Sequence, residues 1–365
     1  MSKIISIGTA VPEYGTEQSV ILGFMKDAYS DDVVSRKLNV LFKHSGISTR
    51  YSTIPDFDKT KLKHVLFNGT PNTSTVENRL TVFKEKAIPL AIEAVTNAFK
   101  RINTDLSDFE FTHLITVSCT GLYAPGIDAQ LIEELNLPND IFHISVNFLG
   151  CNAAFHALKI ANLIIKSDDN AKVLIVCVEL CTLHFQPKNN HDNLLSNTIF
   201  GDGAAAVILT SDKYQNNTMQ NSLVIDGFYS LLLPKGKDLM GWNITPVNFE
   251  MILDAKIPDF IGNEINSIVL KASKKFNIEP NTIKKWAIHP GGKKILDTIK
   301  KELQLNEEDL KYSYKILDEY GNMSSPTILF VLNELMETKQ NKNDSVFSIG
   351  FGPGLSIEAA LFRFE

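Results

Sequence analysis

The chain has 365 residues, 44% of them hydrophobic, so it can bury one large core or two cores of ordinary domain size, which argues against a single small binding module. Its 36 Lys and Arg against 42 Asp and Glu give a formal net charge of -6 with no sustained basic run, so nucleic acid is not expected as a partner. No segment approaches the roughly 18 apolar residues that span a bilayer, and the N-terminus lacks the pattern of a signal peptide, so we expect no membrane span and a cytoplasmic protein.

Short, continuously apolar runs alternate with longer helical patterns along the chain. Continuous apolarity predicts strands that are covered on both faces, so the expected class is α/β. The predicted strands are residues 113–120, 172–180, 203–210, 286–289 and 345–351. Ahead of them, residues 53–78 are polar and contain two prolines, and they predict a surface excursion. A polar stretch at residues 211–222 predicts a soft boundary between two similar halves.

The four cysteines, Cys119, Cys151, Cys177 and Cys181, form no C-x-x-C pair and have no matching Cys/His cluster. Neither a disulfide framework nor a metal site is therefore expected, and the thiols should be reduced. Cys177 lies inside a predicted strand and is interpreted as a packing residue.

Cys151 comes directly before residues 152–166, a segment that is apolar on nearly every side. That pattern predicts a helix sandwiched between sheets rather than one that rests on a surface. At the start of such a helix, unpaired backbone N–H groups and the positive end of the helix dipole favour thiolate over thiol. Cys151 is therefore a candidate nucleophile. The alternative is a small core residue, because buried cysteine is common.

Two further candidates stand where a strand or turn meets a helix. His289 ends an apolar strand and is followed by Pro-Gly-Gly, which holds it at the carboxyl end of the strand, where α/β sheets place their sites. Asn322 follows a glycine and is predicted at a helix cap, with Pro326 suited to the first helical turn. Each residue has a purely structural alternative as a cap. Papain-like proteases also carry Cys, His and Asn in this order, but their cysteine flank is absent here.

Five motifs together resemble the type III polyketide synthases, the chalcone synthase-like branch of the thiolase superfamily, over nearly the full length. They are NFLGCNAAFHAL around Cys151, IFGDGAAAVIL from Ile199, WAIHPGGKKIL around His289, YGNMSSPTILF around Asn322 and GFGPGLSIEAALF from Gly350. The resemblance implies two duplicated thiolase-like halves in an αβαβα arrangement, and a homodimer. The half 1–215 would carry the nucleophilic cysteine, and the half 216–365 would carry the histidine and asparagine.

The resemblance also implies a mechanism without a metal or redox cofactor. Cys151, as a thiolate paired with protonated His289, would take an acyl group from a starter acyl-CoA. Malonyl-CoA would then lose carbon dioxide, and hydrogen bonds from His289 and Asn322 would stabilise the resulting enolate. Repeated Claisen condensations and a cyclisation would complete the product. We expect a resorcinol, pyrone or naphthalene product from an acyl-CoA or malonyl-CoA starter, and the starter stays open.

The cavity residues follow from the same resemblance. Phe200 matches the phenylalanine that gates the CoA tunnel, and the second gate falls at Met251, although Phe249 is close enough to take that place. Cys119 stands where plant enzymes have threonine, and His184 replaces a small polar residue, which favours a microbial rather than a plant member. The remaining predicted cavity residues are Thr120, Ser324, Gly352 and Pro353.

CoA phosphates require cations at the mouth of the tunnel. Arg36, Lys37 and Lys43 lie at helical spacing in a segment that loosely resembles the CoA-binding region of the family, and a plain solvated helix face is an equal alternative.

Two other functions remain open at this point. A β-ketoacyl-carrier-protein synthase III-like enzyme uses the same three residues but usually carries His-Gln-Ala-Asn where this chain has HPGG from His289. An inactive thiolase-fold scaffold would not need all three reactive residues. A hydroxymethylglutaryl-CoA synthase would need a catalytic glutamate that cannot be placed in this sequence.

Overall fold

The computed structural model describes residues 1–58, 60–61, 64–67, 74–214 and 221–365, and the predicted boundary between residues 215 and 216 lies outside them. The strands of the described part are β1 (Ser2–Ala10), β2 (Tyr14–Glu17), β3 (Thr49–Ser52), β4 (His113–Ser118), β5 (Phe142–Asn147), β6 (Val173–Leu180), β7 (Asp202–Ser211), β8 (Leu223–Leu232), β9 (Met240–Ile244), β10 (Phe249–Leu253), β11 (Lys285–Ile288), β12 (Ser345–Gly352) and β13 (Ser356–Phe364). Its α-helices are α1 (Gln18–Tyr29), α2 (Asp32–His44), α3 (Val76–Ile102), α4 (Ile127–Glu134), α5 (Ala153–Ser167), α6 (His191–Ile199), α7 (Ile257–Phe276), α8 (Lys293–Glu302), α9 (Lys311–Tyr320) and α10 (Thr327–Glu337).

Nine strands form one mixed sheet in the order β11-β12-β13-β8-β1-β7-β6-β4-β5. β4 pairs in parallel with both β5 and β6, and β11 pairs in parallel with β12, whereas the other neighbours are antiparallel. The two halves of the sheet are joined only between β1 and β8, through the pairs Lys3–Val224 and Ile4–Leu223. This short junction divides the sheet into two halves.

The side chains of the sheet pack in three separate clusters, and these clusters define five layers. On β6, Leu174, Val176 and Val178 pack against α3 on the outer face, whereas Ile175 and Cys177 face inward. The inner cluster contains α5 and α10 together with strands from both halves of the sheet. A third cluster joins α7 and α8 to the outer face of β11 and β12. The order is helix, sheet, helix, sheet, helix, which confirms the predicted α/β class and its αβαβα layering.

The apolar runs in the sequence correspond to strands of this sheet. β4, β6, β7, β11 and β12 lie where strands were predicted, and every residue of β6 and β7 is buried, because both faces are covered by helices. The helix predicted at residues 152–166 is α5, which lies in the central layer as expected. One of its side chains, Leu163, is nevertheless 66% exposed.

The prediction of a surface excursion at residues 53–78 was wrong for residues 53–57, 66, 67 and 74, which are buried, whereas 60, 61, 64, 65, 75, 77 and 78 are exposed as predicted. Phe57 and Phe67 are buried and pack with Phe24 and Phe185 in an aromatic cluster. The buried carboxylate of Asp56 accepts backbone N–H groups of the chain at residues 65–67 at 2.7–3.1 Å. A polar segment can be buried here because one side chain satisfies its backbone donors. Residues 59, 62–63 and 68–73 of the range lie outside the described part.

Candidate active site

Cys151 lies at the carboxyl end of β5, in a one-turn 3₁₀ helix (Gly150–Asn152) that leads into α5. The turn needs glycine at position 150, where φ is 77° and a Cβ atom would lie 2.2 Å from Cδ of Pro353. The Cys151 side chain is 7% exposed. The local backbone therefore presents the sulfur to an interior cavity rather than to solvent.

The amide of Asn322 faces this sulfur, with Nδ2 at 3.9 Å and Oδ1 at 4.0 Å from Sγ of Cys151. Its orientation is fixed, because Oδ1 accepts the backbone N–H of Ser324 at 2.8 Å and Nδ2 donates to the carbonyl of Gly291 at 3.4 Å. The prediction that Asn322 caps a helix was wrong. The helix α10 begins at Thr327 and its N-cap is Pro326, so Asn322 lies in the preceding turn.

His289 follows β11 and is 1% exposed. Its backbone N–H donates to Ile349 on β12 at 2.9 Å, and its carbonyl accepts the N–H of Gly291 at 2.9 Å. Its ring lies beside Gly291, where a Cβ would be 3.9 Å from Nε2, so His289 and Asn322 flank the same glycine. Neither ring nitrogen has a hydrogen-bond partner among the described residues. The ring therefore does not cap the turn, and its nitrogens remain available for chemistry.

Burial opposes charge on both the thiol and the imidazole. It raises the pKa of Cys151 to about 11, against the opposing effect of hydrogen bonds with Ser324 and Asn322. It lowers the pKa of His289 to about 3. Desolvation therefore opposes the predicted preference for the thiolate at the start of the helix. Transfer of one proton from the thiol to the imidazole would leave the net charge of the site unchanged.

The sulfur of Cys151 opens into a cavity of about 60 Å³. Seven of the eight predicted cavity residues line it: Cys119, Thr120, His184, Phe200, Met251, Ser324 and Pro353. Gly352 does not line it. A Cβ there would lie 2.4 Å from Oδ1 of Asn152, so Gly352 permits close packing behind the cysteine turn. Phe249 also lines the cavity, so both candidates for the second gate are at the wall.

Aromatic rings close one side of the cavity. His184 stacks on Phe249 with ring centroids 4.4 Å apart, and Trp242 meets both rings edge-on. Nε2 of His184 donates to the carbonyl of Thr120 at 2.8 Å, and Nδ1 accepts the backbone N–H of Phe249 at 3.0 Å. The bond at Nδ1 needs the neutral ring, because a protonated Nδ1 cannot accept, and burial lowers the pKa of His184 to about 3. The His184 ring is therefore held in one orientation and forms part of the cavity wall.

The sequence interpretation missed a buried carboxylate behind the site. Glu179, on β6, is fully buried and accepts the backbone N–H of Cys119 at 2.9 Å and hydroxyls of Thr120 and Ser325 at 2.7 and 2.6 Å. It joins strand β4 to the turn that carries Asn322. A charged residue inside the run KVLIVCVEL is the signal that could have identified it, because an ionisable group in a central strand needs partners.

The three predicted CoA-binding residues lie apart from the cavity. Arg36, Lys37 and Lys43 are exposed on α2, and none of them lines the cavity. They remain candidates for the tunnel mouth. Among the described residues, no group of three or more His, Cys, Asp and Glu side chains is arranged to hold a metal ion. Nor does any described helix have the length and apolar character to cross a membrane.

Both halves of the chain match one family. Residues 1–213 match the N-terminal domain of the chalcone and stilbene synthases, and residues 228–364 match the C-terminal domain. The chain belongs to the chalcone and stilbene synthase family. The layered fold and the predicted resemblance are confirmed by this membership.

Relatives of this chalcone and stilbene synthase family member include microbial proteins. "Alpha-pyrone synthesis polyketide synthase-like Pks18" of Mycobacterium tuberculosis is 27% identical over 98% of this chain and 90% of its own length. "Probable polyketide synthase 1" of Dictyostelium discoideum is 28% identical over 99% of this chain, which spans only 11% of that longer protein. The crystal structure of the C-terminal type III polyketide synthase domain of Steely1, from Dictyostelium, superposes with a TM-score of 0.90 at 27% identity and covers 99% of each chain.

Proposed function

We propose that this protein is a type III polyketide synthase, which condenses malonyl-CoA repeatedly onto an acyl-CoA or malonyl-CoA starter and then cyclises the chain. The observation that supports this most directly is the approach of the Asn322 amide to within 3.9 Å of the Cys151 sulfur, beside His289, in a chain of this family. Cys151, His289 and Asn322 are the proposed catalytic residues.

In the first step Cys151 acts as the nucleophile. Its proton passes to His289, and because the transfer keeps the net charge at zero, attraction between the two new charges offsets part of the desolvation cost. The thiolate attacks the carbonyl carbon of the starter thioester, a new C–S bond forms, and the bond to the CoA sulfur breaks. The imidazolium then protonates the departing CoA sulfur and becomes neutral again.

In the second step the two remaining groups stabilise an enolate. The bond between the α-carbon of malonyl-CoA and its carboxylate breaks, carbon dioxide leaves, and the electron pair is shared with the thioester oxygen. The neutral His289 ring and Nδ2 of Asn322 each donate a hydrogen bond to that oxygen. The low pKa of His289 fits this role, because a neutral donor remains in place at pH 7. The carbanion then attacks the Cys151 thioester and releases the thiolate.

The proposed products are resorcinols, pyrones or naphthalene-type rings. The name of the mycobacterial relative refers to α-pyrone synthesis, which supports the pyrone class. Phe200 and either Met251 or Phe249 are the proposed gates, and the other cavity-lining residues shape the growing chain. We propose no cofactor beyond the CoA thioesters, and contacts from Arg36, Lys37 and Lys43 to the CoA phosphates.

The proposal includes a homodimer that works in the cytoplasm. β5 stands at one end of the large sheet, and three large apolar side chains near it are exposed: Phe142 at 55%, Leu149 at 39% and Leu163 at 66%. Such a surface suits a second copy of the chain. The cytoplasmic location is supported by four cysteines that are all free thiols. Light scattering of the parent and of Phe142→Lys tests the dimer, which the lysine should weaken.

The function itself is tested by mass spectrometry of products. Purified protein receives malonyl-CoA alone, and then malonyl-CoA with straight-chain acyl-CoA starters from acetyl to palmitoyl. We expect the parent to form cyclised products that contain two or more extension units, and we expect Cys151→Ala to form no product. A product of one condensation would instead indicate the synthase III-like alternative, and no consumption of malonyl-CoA would indicate a scaffold.

A further inference from the structure

The two-stranded sheet of β2 and β3 contributes a buried arginine to the rear of the reactive site. Arg50, on β3, is 5% exposed and lines the Cys151 cavity. Its Nε donates to Oε1 of Gln18 at 2.9 Å, and Nη1 donates to the carbonyl of Phe200 at 2.6 Å, whereas Nη2 is buried without a partner among the described residues. Burying a guanidinium that is not fully paired costs stability. Its presence therefore calls for a functional reason.

The carbonyl that Arg50 holds belongs to the segment that pairs with the one carrying Asn322. Phe200 and Asn322 form an isolated parallel bridge, in which the Asn322 N–H donates to Ile199 at 2.9 Å and the Gly201 N–H donates to Asn322 at 3.0 Å. The stem of Arg50 packs against the same turn, because a Cβ at Gly321 would lie 3.0 Å from its Cγ. One side chain thus contacts both sides of the bridge.

Residues next to Arg50 in the chain also contact the segment of Phe200 and the segment of Asn322. The backbone N–H of Thr53 donates to Oδ2 of Asp202 at 2.8 Å, and the other oxygen of this carboxylate accepts the N–H of Thr182 at 2.8 Å. Tyr51 stacks on Tyr320 with ring centroids 5.7 Å apart. This part of the chain therefore contacts the residues just after Phe200 and the approach to Asn322.

We infer that Arg50 is a positioning residue, which holds the Phe200 carbonyl and thereby fixes the Asn322 amide in the place where it meets the malonyl thioester. The inference rests on the proposed function. Because the peptide groups of the bridge are planar and hydrogen-bonded, a shift of the Phe200 carbonyl moves the Asn322 backbone with it. Arg50 acts through Asn322 and does not touch the reacting atoms. Its loss should slow enolate formation far more than it lowers the nucleophilicity of Cys151, because Asn322 is only one of the groups that act on the thiol.

Two partial reactions separate these effects. Decarboxylation of malonyl-CoA reports on Asn322, and alkylation of Cys151 by iodoacetamide reports on the thiolate. For Arg50→Met we expect a roughly 10- to 100-fold lower kcat for decarboxylation, since small displacements at a reacting centre have effects of this size, and alkylation within about twofold of the parent. Arg50→Lys, which keeps a charged donor, should recover part of the loss.

The matched control is Ser6→Ala on β1, which removes a buried hydrogen bond to the carbonyl of Ala98 on α3, and Ser6 does not line the cavity. If Arg50→Met does not fold, Gln18→Leu loosens the guanidinium without removing it and should show a smaller loss of the same kind. Decarboxylation at the parental rate, or a parallel fall in both reactions that matches Ser6→Ala, overturns the inference alone. A parent protein that does not decarboxylate malonyl-CoA overturns the proposed function and this inference together.

Discussion

Replacing His289 with glutamine tests whether the imidazole accepts the Cys151 proton. Glutamine has a similar volume and can donate a hydrogen bond, but it does not titrate. Burial raises the pKa of Cys151 to about 11 in the parent, and in the variant the thiol keeps this burial with only the neutral groups Asn322 and Ser324 to stabilise its charge. At pH 8 about one thiol in 1,000 is then ionised. In the parent the thiolate forms together with the imidazolium, and attraction between the two charges offsets part of this penalty.

The assay is the rate of Cys151 alkylation by iodoacetamide between pH 6 and pH 10, followed by the intact protein mass and assigned by peptide mapping. We expect the His289→Gln variant to react up to about 1,000-fold more slowly at pH 8 and to gain about tenfold per pH unit, because only the thiolate reacts. The parent should react at neutral pH with a shallow profile. Superimposable profiles for the two proteins would refute the role of His289 as the proton partner.

Three further predictions follow from the same contacts. Asn322→Ala should lower the kcat for malonyl-CoA decarboxylation by about 100-fold, and Asn322→Asp should lower it further, because a carboxylate repels the enolate. A coupled assay of carbon dioxide release measures both variants. An effect below threefold would contradict the role of Asn322 as a donor to the enolate. His184→Ala should give products of higher mass in the starter series, because the ring is a fixed wall of the cavity; an unchanged product mass would contradict this. Each of His184 and His289 should lower the free energy of unfolding by about 2 kcal/mol between pH 7 and pH 5. In the unfolded chain each histidine binds a proton below pH ~6.5, whereas the buried rings, with pKa values of about 3, stay neutral. Urea titrations of the parent and of His184→Ala measure the slope, and equal slopes would contradict it.

The sequence was sufficient wherever a local pattern has one physical meaning. Continuous apolarity in β6 and β7 indicates strands covered on both faces, and the all-round apolar pattern of α5 indicates a central helix. Cys151 and His289 could be chosen from their flanks alone. Their pKa values could not, since desolvation depends on the groups that fold around them rather than on neighbours in the chain.

Contacts between segments that are distant in the chain could not be predicted from the sequence. Trp242 donates to the carbonyl of Cys119 at 2.7 Å across 123 residues, and Arg50 meets the Phe200 carbonyl across 150. Residues 53–78 looked like a solvated loop, because polar composition gave no hint that the carboxylate of Asp56 satisfies the backbone there. Hydrogen bonds of this kind set the shape of the cavity, so the wall formed by His184 and Phe249 emerged only from the fold.

The central claim is that Cys151 carries the growing chain as a thioester, and direct detection of that thioester tests it. Purified protein is mixed with an acyl-CoA starter, quenched in acid within seconds, digested and analysed by mass spectrometry. The account predicts an acyl group on the peptide that contains Cys151, lost on treatment with hydroxylamine and absent from Cys151→Ala. An acyl group on Cys119 or Cys181 instead, or turnover of malonyl-CoA that persists in Cys151→Ala with cyclised product, would contradict it.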